Sequence, residues 1–207
     1  DRESMRAGMQ GADIVIHNAA WYERGVPKRA HPQMYAINVK GTDNVLGLAQ
    51  ELGVARTVYV SSVVYYGDTG QEQRDETFRR QTPYRGYYEQ TKAEAHTLAL
   101  RYLEQGLPLV IVCPPHVVGP NDHSPYGYFQ RLYVNRLMPP CAWAPDTIHT
   151  PTYVTDVAEG IALAAEKGRM GETYLLTGEP TSLRTIFRLW GEQPGGLHVG
   201  FFVPIWL

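Results

Sequence analysis

Cysteine is scarce: the 207-residue chain has two, Cys113 and Cys141. They form no Cys-x-x-Cys and no metal-ligand spacing, which argues against a disulfide scaffold or a zinc site and suits a reducing, cytoplasmic compartment. The seven histidines are scattered, so no metal site gains support from them. Charge of one sign is also lacking. A net charge of -2, with 19% charged residues, excludes the basic footprint of a nucleic-acid binder. No apolar run approaches the roughly 18 residues a membrane helix needs. The opening DRESMRAGMQG lacks the apolar core of a secretory leader, and there is no internal repeat or low-complexity tract. Neither G-x-G-x-x-G nor G-x-x-G-x-x-G occurs. GMQG, GDTG and GRMG each lack a third glycine, and none follows a strong strand.

What is present is a soluble globular composition, 43% apolar, long enough for one good core. DRESMRAGMQG predicts a helix with Asp1 as cap and Gly11 as stop. Ile14–His17 form a short apolar strand. From Pro32 a helix runs to Gly53, with Met34, Ile37, Gly41, Val45, Leu48 and Leu52 on one face. RTVYVSS is a buried strand, residues 86–105 a helix, and LVIVC (109–113) another buried strand. Alternating helices and near-continuous apolar strands predict an α/β fold: a doubly wound parallel sheet covered on both faces. Beyond residue 119 the pattern loosens. TDVAEGIALAAEKG reads as a helix with Asp156 as cap, ETYLLTG as a strand, and TSLRTIFRLWG as a helix capped by Thr181 or Ser182. The closing FFVPIWL reads as a core segment.

In such sheets ligands bind beyond the carboxyl ends of the strands. That rule selects His17 to Ala20 after the first strand, Ser61 and Ser62 after RTVYV, and Pro114 after LVIVC. The stretch YYEQTK then matters, because Tyr88 and Lys92 lie one helical turn apart. With 14 tyrosines and four lysines, one chance Tyr-x-x-x-Lys is expected about 0.3 times, so spacing alone does not decide. If the helix starts beside the crevice, Ser62, Tyr88 and Lys92 converge. Ser61 faces the other way by strand alternation. His17 reads as a satisfied core histidine. Tyr65, Tyr66, Tyr84, Tyr87 and Tyr88 fit either packing or a substrate-facing aromatic wall.

HNAA after a strand, NVKGT in a helix, VYVSSVVYYG, YYEQTK and PPHVVGP follow in order. Together they resemble the extended short-chain dehydrogenase/reductase family, also called the NAD-dependent epimerase/dehydratase family, over residues 1 to about 190. HVVGPNDHSP, TYVTDVAEGIALAAEKG and ETYLLTGE are most similar to its dihydroflavonol-reductase-like branch. The resemblance implies a Rossmann-type fold, with residues 1–118 the C-terminal part of an NAD(P)-binding domain and 119–207 part of a substrate-binding region. It implies that the glycine-rich pyrophosphate turn precedes Asp1, in a region of roughly 60 residues. It implies an enzyme using NAD or NADP on a small-molecule substrate, as a homodimer packed through helices 32–52 and 86–105. Tyr88 would be the general acid/base. Lys92 would draw the phenol toward neutrality and bind ribose hydroxyls, and Ser62, four before Tyr66, would hydrogen-bond the same substrate oxygen. Ala19 and Ala20 would lie along the cofactor, Pro114 and Val117 at its nicotinamide end, and Asn38 would support the active-site end of its helix. Hydride transfer at a hydroxyl or carbonyl carbon leads. Nucleotide-sugar epimerisation and a non-catalytic cofactor-sensing relative are the alternatives. Val63 and Val64 stand where the family's dehydratases carry an Asp-Glu pair, which argues against dehydration.

Overall fold

The computed structural model describes residues 2–70 and 72–203. In chain order the elements are α1 (Arg2–Met9), β1 (Ile14–His17), α2 (His31–Tyr35), a π turn (Ala36–Lys40), α3 (Gly41–Glu51), β2 (Arg56–Val60), α4 (Tyr87–Glu104) and β3 (Leu109–Cys113). Then come β4 (Val117–Val118), α5 (Pro125–Val134), β5 (Cys141–Trp143), β6 (Ile148–His149), β7 (Thr152–Tyr153) and α6 (Val154–Lys167). The last are β8 (Thr173–Leu175), β9 (Thr181–Ser182), α7 (Leu183–Gly191) and β10 (Phe201–Val203). Asp1, read as a cap, and the last four residues of FFVPIWL lie outside the described residues. The chain divides into two compact units: residues up to Pro115 with Val157–Leu176, and His116–Asp156 with Thr177 onward.

The first unit is built on a four-stranded parallel sheet ordered β1-β2-β3-β8. Its inner strands are mostly apolar because both faces are covered, Arg56 and Thr57 at the start of β2 being the exceptions. On one face Val58, Val60, Val110 and Val112 pack against Ile161, Ala164 and Ala165 of α6. On the other, Tyr59, Leu109, Ile111 and Cys113 meet Leu46 and Ala49 of α3 and Ala95 and Ala99 of α4. Arg56 donates to the carbonyls of Ala164 (3.2 Å) and Gly168 (2.6 Å), placing a cation at the negative end of α6.

One expectation needs correction. The stripe Met34, Ile37, Gly41, Val45, Leu48, Leu52 is not the buried face as a whole. The π turn holds one extra residue, so the face beyond Met34 slips to Asn38, Thr42, Leu46 and Ala49, all at most 1% exposed, while Ile37 is 39% exposed. Asp156 also differs: it sits in the first turn of α6 rather than at its cap.

The second unit has only short strands. β4 pairs with β7 and β5 with β10 in parallel, and β6 with β9 antiparallel. Its core is aromatic: Tyr133, Phe187 and Trp190, with Ala142 and Ile186, ringed by Phe129 and Phe202. Ser124 caps α5 by accepting from Gly127 N (3.2 Å), with Pro125 at the first helical position. Ser182 caps α7 through Thr185 N (3.2 Å), as the sequence reading offered.

Candidate active site at the carboxyl ends of the strands

The strand β2 ends at Val60, and the next two residues point to opposite sides. Ser61 is 4% exposed and its Oγ lies 2.8 Å from His96 Nδ1. Ser62 is extended and opens the short helical turn Val63–Tyr65, accepting from Val64 N at 3.4 Å. Its hydroxyl also favours the ionised form of the Tyr88 phenol, against the larger effect of burial.

Tyr88 lies in the first turn of α4, and two side chains fix that turn. Glu89 accepts from the Arg85 backbone N–H at 2.6 Å and from Arg80 at 2.7 Å, in a half-buried ion pair. Arg80 also donates to the carbonyls of Val64 and Tyr65, tying the turn after β2 to the start of α4. An acid in the first turn suits the positive end of the helix.

Lys92 sits one turn further on and is 3% exposed. Its Nζ donates to Val60 O at 3.1 Å and lies 5.2 Å from the Tyr59 ring centroid. Burial lowers its pKa to about 8. The expected downward pull of Lys92 on the phenol is not what the protein alone displays. Burial pushes Tyr88 up to about 12, Tyr22 adds to the rise, and the positive charge opposing it is Arg24.

Asn38, 1% exposed in the π turn, ties three elements together. Its Oδ1 accepts from Trp21 N (2.7 Å), and its Nδ2 donates to Trp21 O (3.1 Å) and Thr91 Oγ1 (3.0 Å). Thr91 Oγ1 in turn donates to Tyr88 O (2.9 Å). Thr42 Oγ1 donates to Asn38 O at 2.8 Å and meets His17 Nε2 at 2.9 Å. His17 is thus a buried, partnered core histidine. Burial first, and the Lys92 charge second, lower its pKa to about 4.

Ala19 and Ala20 are exposed directly after β1, and Pro114 is buried directly after β3, its carbonyl accepting from Val63 N at 3.2 Å. These, with Ser62, Tyr88 and Lys92, belong to the first unit. Val117 belongs to the second unit, on β4 opposite Thr152. The small, exposed residues after β1 and the Lys92 donors left over from Val60 fit a dinucleotide laid across the strand ends.

Sequence reading missed Tyr22, whose ring meets Tyr88 edge-on at 5.1 Å, and His31, stacked on Tyr87 at 3.7 Å. It also missed the Thr42 and Thr91 links. Both threonines lie inside the quoted motifs, Thr42 in NVKGT and Thr91 in YYEQTK, and their place there was the available signal. Nothing marked Tyr22.

Comparison with known proteins gives a consistent result. A "Putative dihydroflavonol 4-reductase" of Synechocystis sp. is 35% identical over 96% of this chain and 59% of its own length. The 4-hydroxy-2-methyl-3-oxo-4-farnesyl-3,4-dihydroquinoline-1-oxide ketoreductase of Stigmatella aurantiaca is 32% identical over 94% of this chain and 58% of its own. The crystal structure of gox2253 superposes with a TM-score of 0.87 at 33% identity, covering 99% of this chain and 62% of that one. The chain therefore spans about three fifths of the length of these relatives. Residues 1–176 match the family model, and the chain belongs to the NAD dependent epimerase/dehydratase family of extended short-chain dehydrogenases/reductases.

Proposed function

We propose that the whole protein is an NAD(P)-dependent oxidoreductase acting on a hydroxyl or carbonyl carbon of a weakly polar small molecule. The observation that carries this reading is Ser62 at the end of β2 acting on the Tyr88 phenol, with buried Lys92 one helical turn away. When bound, the nicotinamide supplies or accepts the hydride. Tyr88 Oη gives its proton to the substrate oxygen in reduction and takes it back in oxidation. A phenol held up at about 12 keeps its proton at neutral pH, which suits the acid role in carbonyl reduction. Ser62 hydrogen-bonds the same oxygen. Lys92 offers its remaining N–H donors to ribose hydroxyls. Ala19, Ala20, Tyr88 and Lys92 would hold the cofactor, NAD or NADP, with Pro114 and Val117 at its nicotinamide end.

Val63 and Val64 follow Ser62 directly and carry neither acid nor base. Elimination of water needs both in addition to the tyrosine, so 4,6-dehydration is outside this site's means. Nucleotide-sugar epimerisation is the second reading, supported by the family's description alone. A non-catalytic cofactor sensor would have no use for the proton-transfer set. We further propose a cytoplasmic homodimer, with α2–α3 and α4 as its contact.

The test incubates the whole protein with NADH or NADPH and a panel of aryl ketones, ring ketones and nucleotide sugars. Cofactor oxidation with an apolar ketone is the expected result. Loss of one water from a nucleotide sugar, read by mass spectrometry, overturns it. Cofactor binding without any turnover favours the sensor.

A further inference from the structure

The segment after β1 crosses the first turn of α4 and is tied down at three points. Asn38 clamps the Trp21 backbone from both sides. His31 stacks face to face on Tyr87, with interplanar angle 3°, and its Nε2 lies 3.2 Å from Val26 O. Between these anchors the Tyr22 ring stands edge-on to the Tyr88 ring, centroids 5.1 Å apart and planes at 80°. Clamping the Trp21 backbone fixes where the next residue begins, so the Tyr22–Tyr88 contact is not a free surface side chain settling on its neighbour. Edge-to-face geometry is the favoured one for two aromatic rings.

We propose that Tyr22 is a positioning residue for Tyr88: its ring, delivered by the Asn38 clamp on Trp21, orients the phenol and shields it from water. This rests on the reading of Tyr88 as the acid/base. The groups facing the phenol divide by element. Tyr22 and Arg24 come from the segment after β1, and Tyr59 and Ser62 from β2 and its end. Burial, to which a covering ring contributes, is the largest influence holding the proton on, and the Arg24 charge draws it off. A catalytic phenol must hold its proton until the substrate oxygen needs it. A ring that covers it in the resting site does that, and a ring on a loop can also move aside for substrate.

The inference is tested on the whole protein labelled with 3,5-difluorotyrosine, whose greater acidity brings the titration into a mild pH range. The Tyr88 fluorine resonance is assigned by its loss in Tyr88→Phe. Tyr22→Ala should lower the Tyr88 midpoint by about one pH unit, the scale for relieving part of a buried group's desolvation. Tyr22→Phe keeps the ring and should move it less, and Arg24→Gln should move it up. Midpoints unchanged in Tyr22→Ala, with melting unaffected, overturn the inference. So does an equal shift in Tyr22→Phe and Tyr22→Ala, because the hydroxyl rather than the ring would then be responsible. Tyr22 is 41% exposed, so its replacement does not empty the core. Turnover surviving in Tyr88→Phe would sink the catalytic reading separately and leave the titration to stand or fall by itself.

Discussion

Ser61 and Ser62 are neighbours on one strand end, yet they open onto two different chemistries. Behind Ser61 the polar groups are buried, and Ser61 itself is paired inward. Its hydroxyl meets His96 Nδ1, and the His96 ring stacks on Tyr65 at 3.7 Å. Burial, then the charges of Lys92 and Arg79, depress His96 to about 3, and burial raises the Cys113 thiol to about 12. All are inert forms at neutral pH. In front of Ser62 stand a phenol with a hydroxyl partner, a half-buried ring over it, and an ammonium with donors to spare. Burial alone therefore does not mark a site. A paired-off polar cluster holds the fold, whereas one with open hydrogen-bonding capacity has work left for a ligand.

The comparison breaks first at Tyr88. Tyr88→Phe in the whole protein should lower turnover by about 100-fold or more, the scale for losing a general acid/base, and leave cofactor affinity and melting nearly unchanged. Steady-state kinetics beside calorimetric cofactor binding checks both halves. Near-wild-type turnover would put Tyr88 on the structural side with Ser61.

Asn38 belongs to both sides, and its replacement should show it. Asn38→Ala removes three hydrogen bonds and leaves the Trp21 N–H and carbonyl and Thr91 Oγ1 without this partner. Unmet buried groups cost about 1–3 kcal/mol each, and relaxation recovers some of it. Chemical denaturation should show a loss of about 2–3 kcal/mol together with a fall in turnover. A loss confined to one of the two would mean that the clamp serves only the fold or only the site.

On the Ser61 side the expectation reverses. His96→Leu strands the Ser61 hydroxyl and should cost about 1–3 kcal/mol with turnover per folded molecule preserved. Adding Ser61→Ala to it should recover part of that loss, because removing both partners is milder than removing one. A double variant no better than the single would show that the stacking on Tyr65 matters more than the hydrogen bond.

Much of this arrangement was legible in the sequence. β2 and β3 declared themselves because buried parallel strands are nearly continuous apolar runs, here residues 58–60 and Leu109–Cys113, and α4 because its 18 residues run without a breaker. Ser62, Tyr88 and Lys92 were singled out by motif order, at the end of β2 and in the first turns of α4. The hidden parts share a cause. The π turn slips the helix face by one residue, so a stripe drawn at 3.6 residues per turn chose Ile37 and passed over Asn38 and Thr42. Tyr22 sits in a loop, where no periodicity singles out a residue. In the second unit, strands of two or three residues are too short to show alternation, and α5 went unread although Ser124, Pro125 and the spacing of Tyr126, Phe129 and Tyr133 announce it.

The smallest effect concerns pH and separates the two sides by a different measure. His17 and His96 are both buried and neutral, with pKa values near about 4 and about 3 against an ordinary 6.5. In the unfolded chain each returns toward its ordinary value. Below pH 6.5 the unfolded state therefore binds protons that the folded state refuses, and stability falls as pH falls. The contribution is complete above 6.5 and is lost on the way down to about 4 for His17 and about 3 for His96. Glu51, held at about 2 by Arg2 and Arg6, and Asp75, also lowered, act only at more acid pH. The window from 6.5 to 5 thus reports the histidines. Denaturant melts there should lose stability at a slope approaching about 1.4 kcal/mol per pH unit for each histidine. His96→Leu should remove about half of that slope, and Tyr88→Phe should leave it unchanged. A flat profile in the parent protein would mean that both rings accept protons inside the fold, and the Ser61 side would then be no more closed than the Ser62 side.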